Sequence, residues 1–335
     1  MSAIPPALPV PRPRTAPGPL RGAVGAVGTA AMVVSVAVLV VLAVAPSLLT
    51  STDPLSGSAD ILDPPGGQHL FGTDQLGRDI YARVVHGARP VLVAAAGGVA
   101  MAAVAGIALG LAAGIGPRWL DGAIMRVVDV LLALPTLLIA LIMIAVLGSG
   151  VSSIAIALGI AYTPSFARIV EASIRRLRSV EFVHAARLFG SSAPRTAVRH
   201  LLPNLSTEVV VMASSALGWS VLTATTLSFL NFGVQLPNPD WGADLAAGAT
   251  SLSTSWWLSI FPGLAITATI LVANFVGDRL VVVLDPRRTT RRTALRRVLR
   301  LVPRTATTPG RVAAAGPALT DDAGTPAPAI KETTA

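Results

Sequence analysis

The sequence contains no cysteine, one lysine and very little charge. Without cysteine there is no disulfide framework, no thiolate nucleophile and no Cys-ligated metal site. The single lysine, Lys331, follows Pro-Ala-Ile, so the GxxxxGK[ST] loop that cradles nucleotide phosphates is absent and the chain binds no ATP through a P-loop. Charged residues make up 13% of the 335, where a soluble globular chain carries roughly 25%. No HExxH or GxSxG occurs, and the four histidines, His69, His86, His184 and His200, fall outside the apolar runs. That leaves an intramembrane enzyme without candidate groups, and no metal site is expected.

What is present is apolar. Hydrophobic residues are 53% of the chain and the mean hydropathy is +0.68. Uncharged runs cover Gly22 to Thr52, Pro90 to Pro117, Val130 to Ala167, Val209 to Pro239 and Leu245 to Gly277. A spanning helix needs roughly 20 apolar residues. The 38 residues from Val130 to Ala167 are too many for one helix and break at Gly148-Ser149-Gly150, so they read as spans near 130–147 and 151–167. The expected fold is an all-α, polytopic bundle of six transmembrane helices. The first run resembles a signal peptide, with Arg12, Arg14 and Arg21 before it and Ala43-Val44-Ala45 near its end. A signal core is only about 7–15 residues, so this run reads as a retained helix at 23–49.

Basic residues orient the chain. With both termini cytoplasmic, 23 of the 26 Lys and Arg face inward, leaving outside only Arg78, Arg83 and Arg89 among seven acids. The stretch from Arg78 to Arg89 is expected along the outer interface. The net charge of +9 would suit nucleic acid, but it is spread over a membrane chain.

Gly98, Ala102, Gly106, Gly110 and Gly114 recur every fourth residue and form one small-residue face for close helix packing. No charged residue stands mid-span, which disfavours an internal proton relay. Asp129, at the end of the third span, is expected to pair with Arg126 one turn earlier.

The loop from Arg168 to Asn204 is far longer than a bundle connection requires. Ser179 reads as an N-cap and Glu181 sits in the first turn, where the helix dipole favours an anion. Phe182, Ala185, Ala186 and Phe189 follow at helical spacing, Gly190 ends the helix, and a second short helix starts at Ser191-Ser192-Ala193-Pro194 and ends at Pro203. Two short helices with a Phe-bearing face suit insertion into a groove of a partner protein. A DNA-reading helix-turn-helix is disfavoured by tethers to membrane spans within a few residues of both ends.

From Gln68 to about Arg288 the chain resembles the permease subunits of ATP-binding-cassette importers for peptides and nickel, and within them the C-type permease of dipeptide and oligopeptide systems. The resemblance rests on several stretches in order. They are His69-Leu70-Phe71-Gly72-Thr73-Asp74 with Leu76-Gly77-Arg78-Asp79 and Gly87-Ala88-Arg89; Met125-Arg126-Val127-Val128-Asp129 with Leu134-Pro135; Glu181-Phe182-Val183-His184-Ala185-Ala186-Arg187 with Gly190 and His200-Leu201-Leu202-Pro203-Asn204; Pro237-Asn238-Pro239-Asp240-Trp241-Gly242; and Gly277-Asp278-Arg279-Leu280 with Leu284-Asp285-Pro286.

The resemblance implies a type I ABC importer permease fold with a core at 90–285. It places the EAA segment, which docks into a cytoplasmic ATPase, over Glu181 to Asn204. His184 stands where the family pattern has Glu, and Glu181 one turn away is the candidate substitute acid. It also implies a sister permease in a heterodimer, two ATPase subunits holding ATP and Mg, and an extracytoplasmic solute-binding protein. No cofactor is expected on this chain. Asn231 to Ser255, with Trp241 and the pair Trp256-Trp257, reads as a docking and gating region whose tryptophans are expected to be interface anchors.

Residues 1–22 form a Pro-rich cytoplasmic lead, and 50–89 an extracytoplasmic segment. In the tail, 286–335, Leu295, Val298, Leu299 and Val302 share one face ringed by arginine, which fits either an amphipathic helix on anionic lipid or a disordered basic tail. The expected function is an importer permease for peptides or similar small solutes. A self-sufficient secondary carrier or channel is the alternative.

Overall fold

In lipid every backbone N–H and C=O must find its partner inside the segment, so long apolar runs fold as helices. The computed structural model describes residues 19–178 and 202–284. They form α1 (Pro19–Val44), α2 (Ile80–Ile115), α3 (Arg118–Leu132), α4 (Thr136–Leu147), α5 (Val151–Arg178), α6 (Leu202–Phe229), α7 (Trp241–Ala249) and α8 (Trp257–Leu284), with a single 3₁₀ turn at Pro46–Leu48. Five helices are long and apolar enough to cross a membrane, and α3 with α4 makes a sixth crossing if the bent pair is one span. Residues 45–79 and 230–256 gather at one end of the bundle, the cap. The ends of α2, α5 and α8 and the starts of α3 and α6 form the other, the base.

The centre is the pair α2 and α5, packed along nearly their whole length. A Cβ on Gly98 would stand 2.7 Å from the Leu158 Cβ, one on Gly110 2.7 Å from the Val170 Cβ, and one on Gly114 2.9 Å from the Ile174 Cβ. At Gly106 it would collide with Phe166, and Ala102 between them is fully buried. The face of small residues therefore meets one particular helix, α5. Lipid supplies no hydrophobic drive between helices, so this close fit is what brings them together. In contrast, α1 makes its main helix contacts with α2 and α8, and from Val27 on only Gly28 of its residues is buried.

Several expected boundaries move. The span expected at 130–147 is two helices bent by 95° at Ala133–Pro135. Pro135 has no N–H to give and its ring pushes Leu134 out of helical geometry. The span expected from Pro90 begins ten residues earlier, at Ile80, with Pro90 inside α2. The fourth span continues past Ala167 to Arg178, and the fifth starts at Leu202 and ends at Phe229. The stretch between them, 179–201, lies outside the described residues. The run from Leu245 divides into short α7 and long α8.

Candidate functional site

The base is organised by charge. Arg168, Glu171 and Arg175 lie three and four residues apart on α5, hence on one face. Opposite them, Asp121 and Asp129 stand two turns apart on α3. Arg175 Nη2 donates to Asp121 Oδ2 at 2.6 Å and Arg168 Nη2 donates to Asp129 Oδ1, so two rungs join antiparallel helices. Buried Glu171 sits between the rungs and pairs with both arginines. Asp129 thus pairs with Arg168 across helices, not with Arg126 as the spacing suggested. A second link joins α5 to α6: Glu208 accepts from the Ser173 hydroxyl and from Arg176, and Arg176 also reaches Ser173 Oγ at 3.1 Å.

At the cap, Arg83 on α2 is only 2% exposed. Its Nε donates to Asp244 Oδ1 on α7 at 3.1 Å, and its Nη1 donates to the carbonyls of Pro237 at 3.1 Å and Pro54 at 3.3 Å. Arg78 pairs with Asp74 at 2.6 Å and reaches the same Pro237 carbonyl at 3.4 Å. Both arginines are therefore buried hubs. One guanidinium ties together three stretches of chain, which fits its planar fork of donors. Burial pushes the Asp244 carboxyl up, and the Arg83 guanidinium beside it pulls the other way.

The tryptophans also depart from the expectation of interface anchors. Trp241 is 1% exposed and donates its indole N–H to the Val84 carbonyl at 2.7 Å. Trp257 is buried and donates to the Thr73 carbonyl at 3.1 Å. Only Trp256 of the three is exposed. Asp240 caps α7 through the amides of Gly242 at 2.9 Å and Ala243 at 3.2 Å. Burial raises its carboxyl from 3.8 to about 6, against the pull of the Ala243 amide, the Ser228 hydroxyl and the Gly242 amide.

The segment 45–79 folds back on itself under these contacts. Asp79 caps α2 through the Ala82 amide at 2.9 Å and its other oxygen meets His69 Nδ1 at 2.8 Å. Gly77 has φ +70°, and any Cβ there would strike the Ser58 carbonyl. The Gly72-to-Asp79 stretch is thus a turn that sets where α2 begins.

Five or six helices long and apolar enough to cross a membrane, with a hydrogen-bonded cap and an ion-paired base, are the parts of a membrane-embedded bundle. The family of binding-protein-dependent transport system inner membrane components matches residues 106–290, from the middle of α2 through α8. The chain belongs to this family. A Brucella suis biovar 1 protein provisionally named a peptide transport system permease protein is 40% identical over 251 residues, 75% of this chain and 84% of its own length. The glutathione transport system permease protein of Shigella flexneri serotype 5b is 43% identical over 223 residues, 67% of this chain and 74% of its own. The dipeptide transport system permease protein of Alkalihalophilus pseudofirmus is 34% identical over 243 residues, 72% and 80% respectively. The fold is accordingly that of an all-α ABC permease, a multi-pass membrane protein.

Of the expected site residues of this permease, Glu181, Phe182, His184, Ala185, Ala186, Phe189 and Gly190 lie outside the described residues. Pro203 and Asn204 fall in the first turn of α6. Glu171, Glu208 and the Arg83–Asp244 pair were not singled out from sequence. A signal existed for the first: Arg168, Glu171 and Arg175 have the three-four spacing of one helix face, and the Asp121-to-Asp129 interval matches it in turns.

Proposed function

We propose that the chain is one of two paired permeases of an ATP-binding-cassette importer for peptides or similar small solutes. The sister permease completes the path, two ATPase subunits bind ATP and Mg, and an extracytoplasmic binding protein delivers solute to the cap. Both termini and the base are cytoplasmic, a reading supported by the 23 of 26 basic residues that this orientation puts inside. This chain performs no catalysis and holds no cofactor. Peptide-like cargo is supported by the names of the relatives.

One observation carries the coupling role. The segment 179–201, with Glu181, Phe182 and Gly190, connects α5 to α6 in the chain, and those helices are clamped to each other by Arg176, Glu208 and Ser173. A displacement of the segment by an ATPase then moves two spans together, and through the α3 ladder a third. Glu181 supplies the acid that His184 cannot.

The test is a pull-down of the tagged chain from mildly solubilised native membranes. A P-loop ATPase and a second permease should co-purify, and Phe189→Asp with Gly190→Asp should release the ATPase. A chain recovered alone that moves solute in liposomes without ATP would instead be a secondary carrier or channel. Charge-swap variants at Glu181 and His184 address the docking contacts, and unchanged ATPase affinity for both would remove those residues from the interface.

A further inference from the structure

Tryptophan in membrane proteins concentrates near the two interfaces, where its ring is buried and its N–H is wet. Trp119, which opens α3 at the base, and Trp256 in the cap are exposed near the ends of the bundle, while Trp241 and Trp257 are buried in the cap with their N–H groups bonded to carbonyls. Trp219 fits neither case. It stands within the span Leu205–Phe229, roughly 20 Å along the helix from one end and 15 Å from the other at 1.5 Å per residue. It is 64% exposed, and no described residue accepts its indole N–H. A bare donor facing hydrocarbon is costly.

The surroundings of Trp219 differ from the other outward faces of the bundle. On α1 the exposed side chains include Val33, Val34, Val36 and Val40, and on α4 they include Leu138, Ile142 and Val146, which suit lipid. Around Trp219, a relay of hydroxyls runs from Tyr162 on α5 to Thr223 Oγ1 at 3.1 Å, and from Thr223 to the Trp219 carbonyl at 2.9 Å. Towards the cap the same face opens into a groove of about 400 Å³ between α6 and α8, lined in part by Leu222, Thr226, Phe229 and Thr267. That volume is in the range of small-molecule sites, as is the mixture of aromatic, aliphatic and a few hydroxyl groups.

The face is also wrong for a permanent helix neighbour. Helices that pack tightly in lipid use small residues, as α2 does against α5. This face presents its largest side chains, Trp219, Leu222 and Phe229, outward.

Resting on the importer reading, we propose that the α6 face from Trp219 to the Thr226–Thr267 groove is the surface along which the solute crosses the membrane. The Trp219 indole N–H donates to an amide carbonyl of a peptide-like solute, and the groove receives its side chains. An uncharged donor suits the task, because a conducting surface must hold its cargo weakly enough to release it.

The experiment places a photo-crosslinking benzoylphenylalanine at 219 in the assembled complex, with Val34 on α1 as control position, and illuminates with tritiated alanyl-alanine and tritiated glutathione under transport conditions. An adduct of labelled peptide at 219 and none at 34 supports the proposal. Adducts at 219 with lipid or the sister permease only, in a complex that still carries its ATPase, overturn the proposal and leave the importer reading standing. Peptide adducts at 219 in a chain without ATPase keep the surface and overturn the importer reading. In parallel, Trp219→Phe keeps the ring and loses the donor. The half-saturating peptide concentration should rise roughly three- to tenfold, the loss of one uncharged hydrogen bond, with maximal uptake retained. Unchanged half-saturation in both Trp219→Phe and Trp219→Ala overturns the assignment.

Discussion

Arg83 and Asp244, 161 positions apart in the chain, form a buried ion pair that fastens α7 to the start of α2. Removing one partner of such a pair leaves an uncompensated charge in a dry site, typically at a cost of about 3–5 kcal/mol. Arg83→Leu should therefore lower the thermal stability of the detergent-solubilised chain strongly, while Arg83→Leu with Asp244→Leu recovers more than half of the loss. Additive losses in a thermal-shift double-mutant cycle would contradict the pairing.

The α2–α5 contact makes a prediction with its own control. Gly106→Leu must push Phe166 away and should prevent stable folding or cost at least the 1–3 kcal/mol usual for overpacking. Gly97→Ala, whose added Cβ meets only the Ala155 Cβ at 3.5 Å, should be tolerated. Size-exclusion profiles of fluorescent fusions separate the two outcomes.

Asp240 predicts a pH dependence. Its carboxyl is raised from 3.8 to about 6 in the folded chain. Between those values the folded state holds a proton that the unfolded state has released, so this contribution to stability is present below about pH 4 and lost as pH rises through about 6. Asn is as good an N-cap and cannot ionise. Asp240→Asn should gain stability relative to the parent chain above pH 6, and lose that advantage near pH 4. A melting-temperature difference independent of pH would refute it.

The clamp at the base separates docking from coupling. Glu208→Gln removes the charge that Arg176 and Ser173 hold and leaves the expected ATPase contacts on 179–201 unaltered in sequence. ATPase co-purification should persist while solute uptake falls several-fold. Release of the ATPase by this variant would mean that the clamp serves the docking surface itself.

How far these features were legible in the sequence depended on whether the deciding partner was local. Apolar runs located the spans because the bilayer acts on each segment separately. Their ends were misread wherever a charge was taken as a boundary: α2 carries Arg83 within its first turn because Asp244 neutralises it, and α5 runs past Arg168 because Asp129 does the same. Proline was ambiguous for a related reason. Pro90, Pro164 and Pro262 sit inside helices, whereas Pro135 ends one; what differs is the packing around each, which no single sequence displays. The glycine face was readable from period alone, but α5 as its partner was not. Trp241 and Trp257 were misjudged because an indole beside a membrane span has two good uses, and only the carbonyls of Val84 and Thr73 decide between them.

The short α4 bears on how the third crossing is made. Twelve residues rise about 18 Å, against roughly 30 Å of hydrocarbon, and α3 turns 95° away instead of prolonging the climb. α4 by itself therefore covers little more than half of that depth.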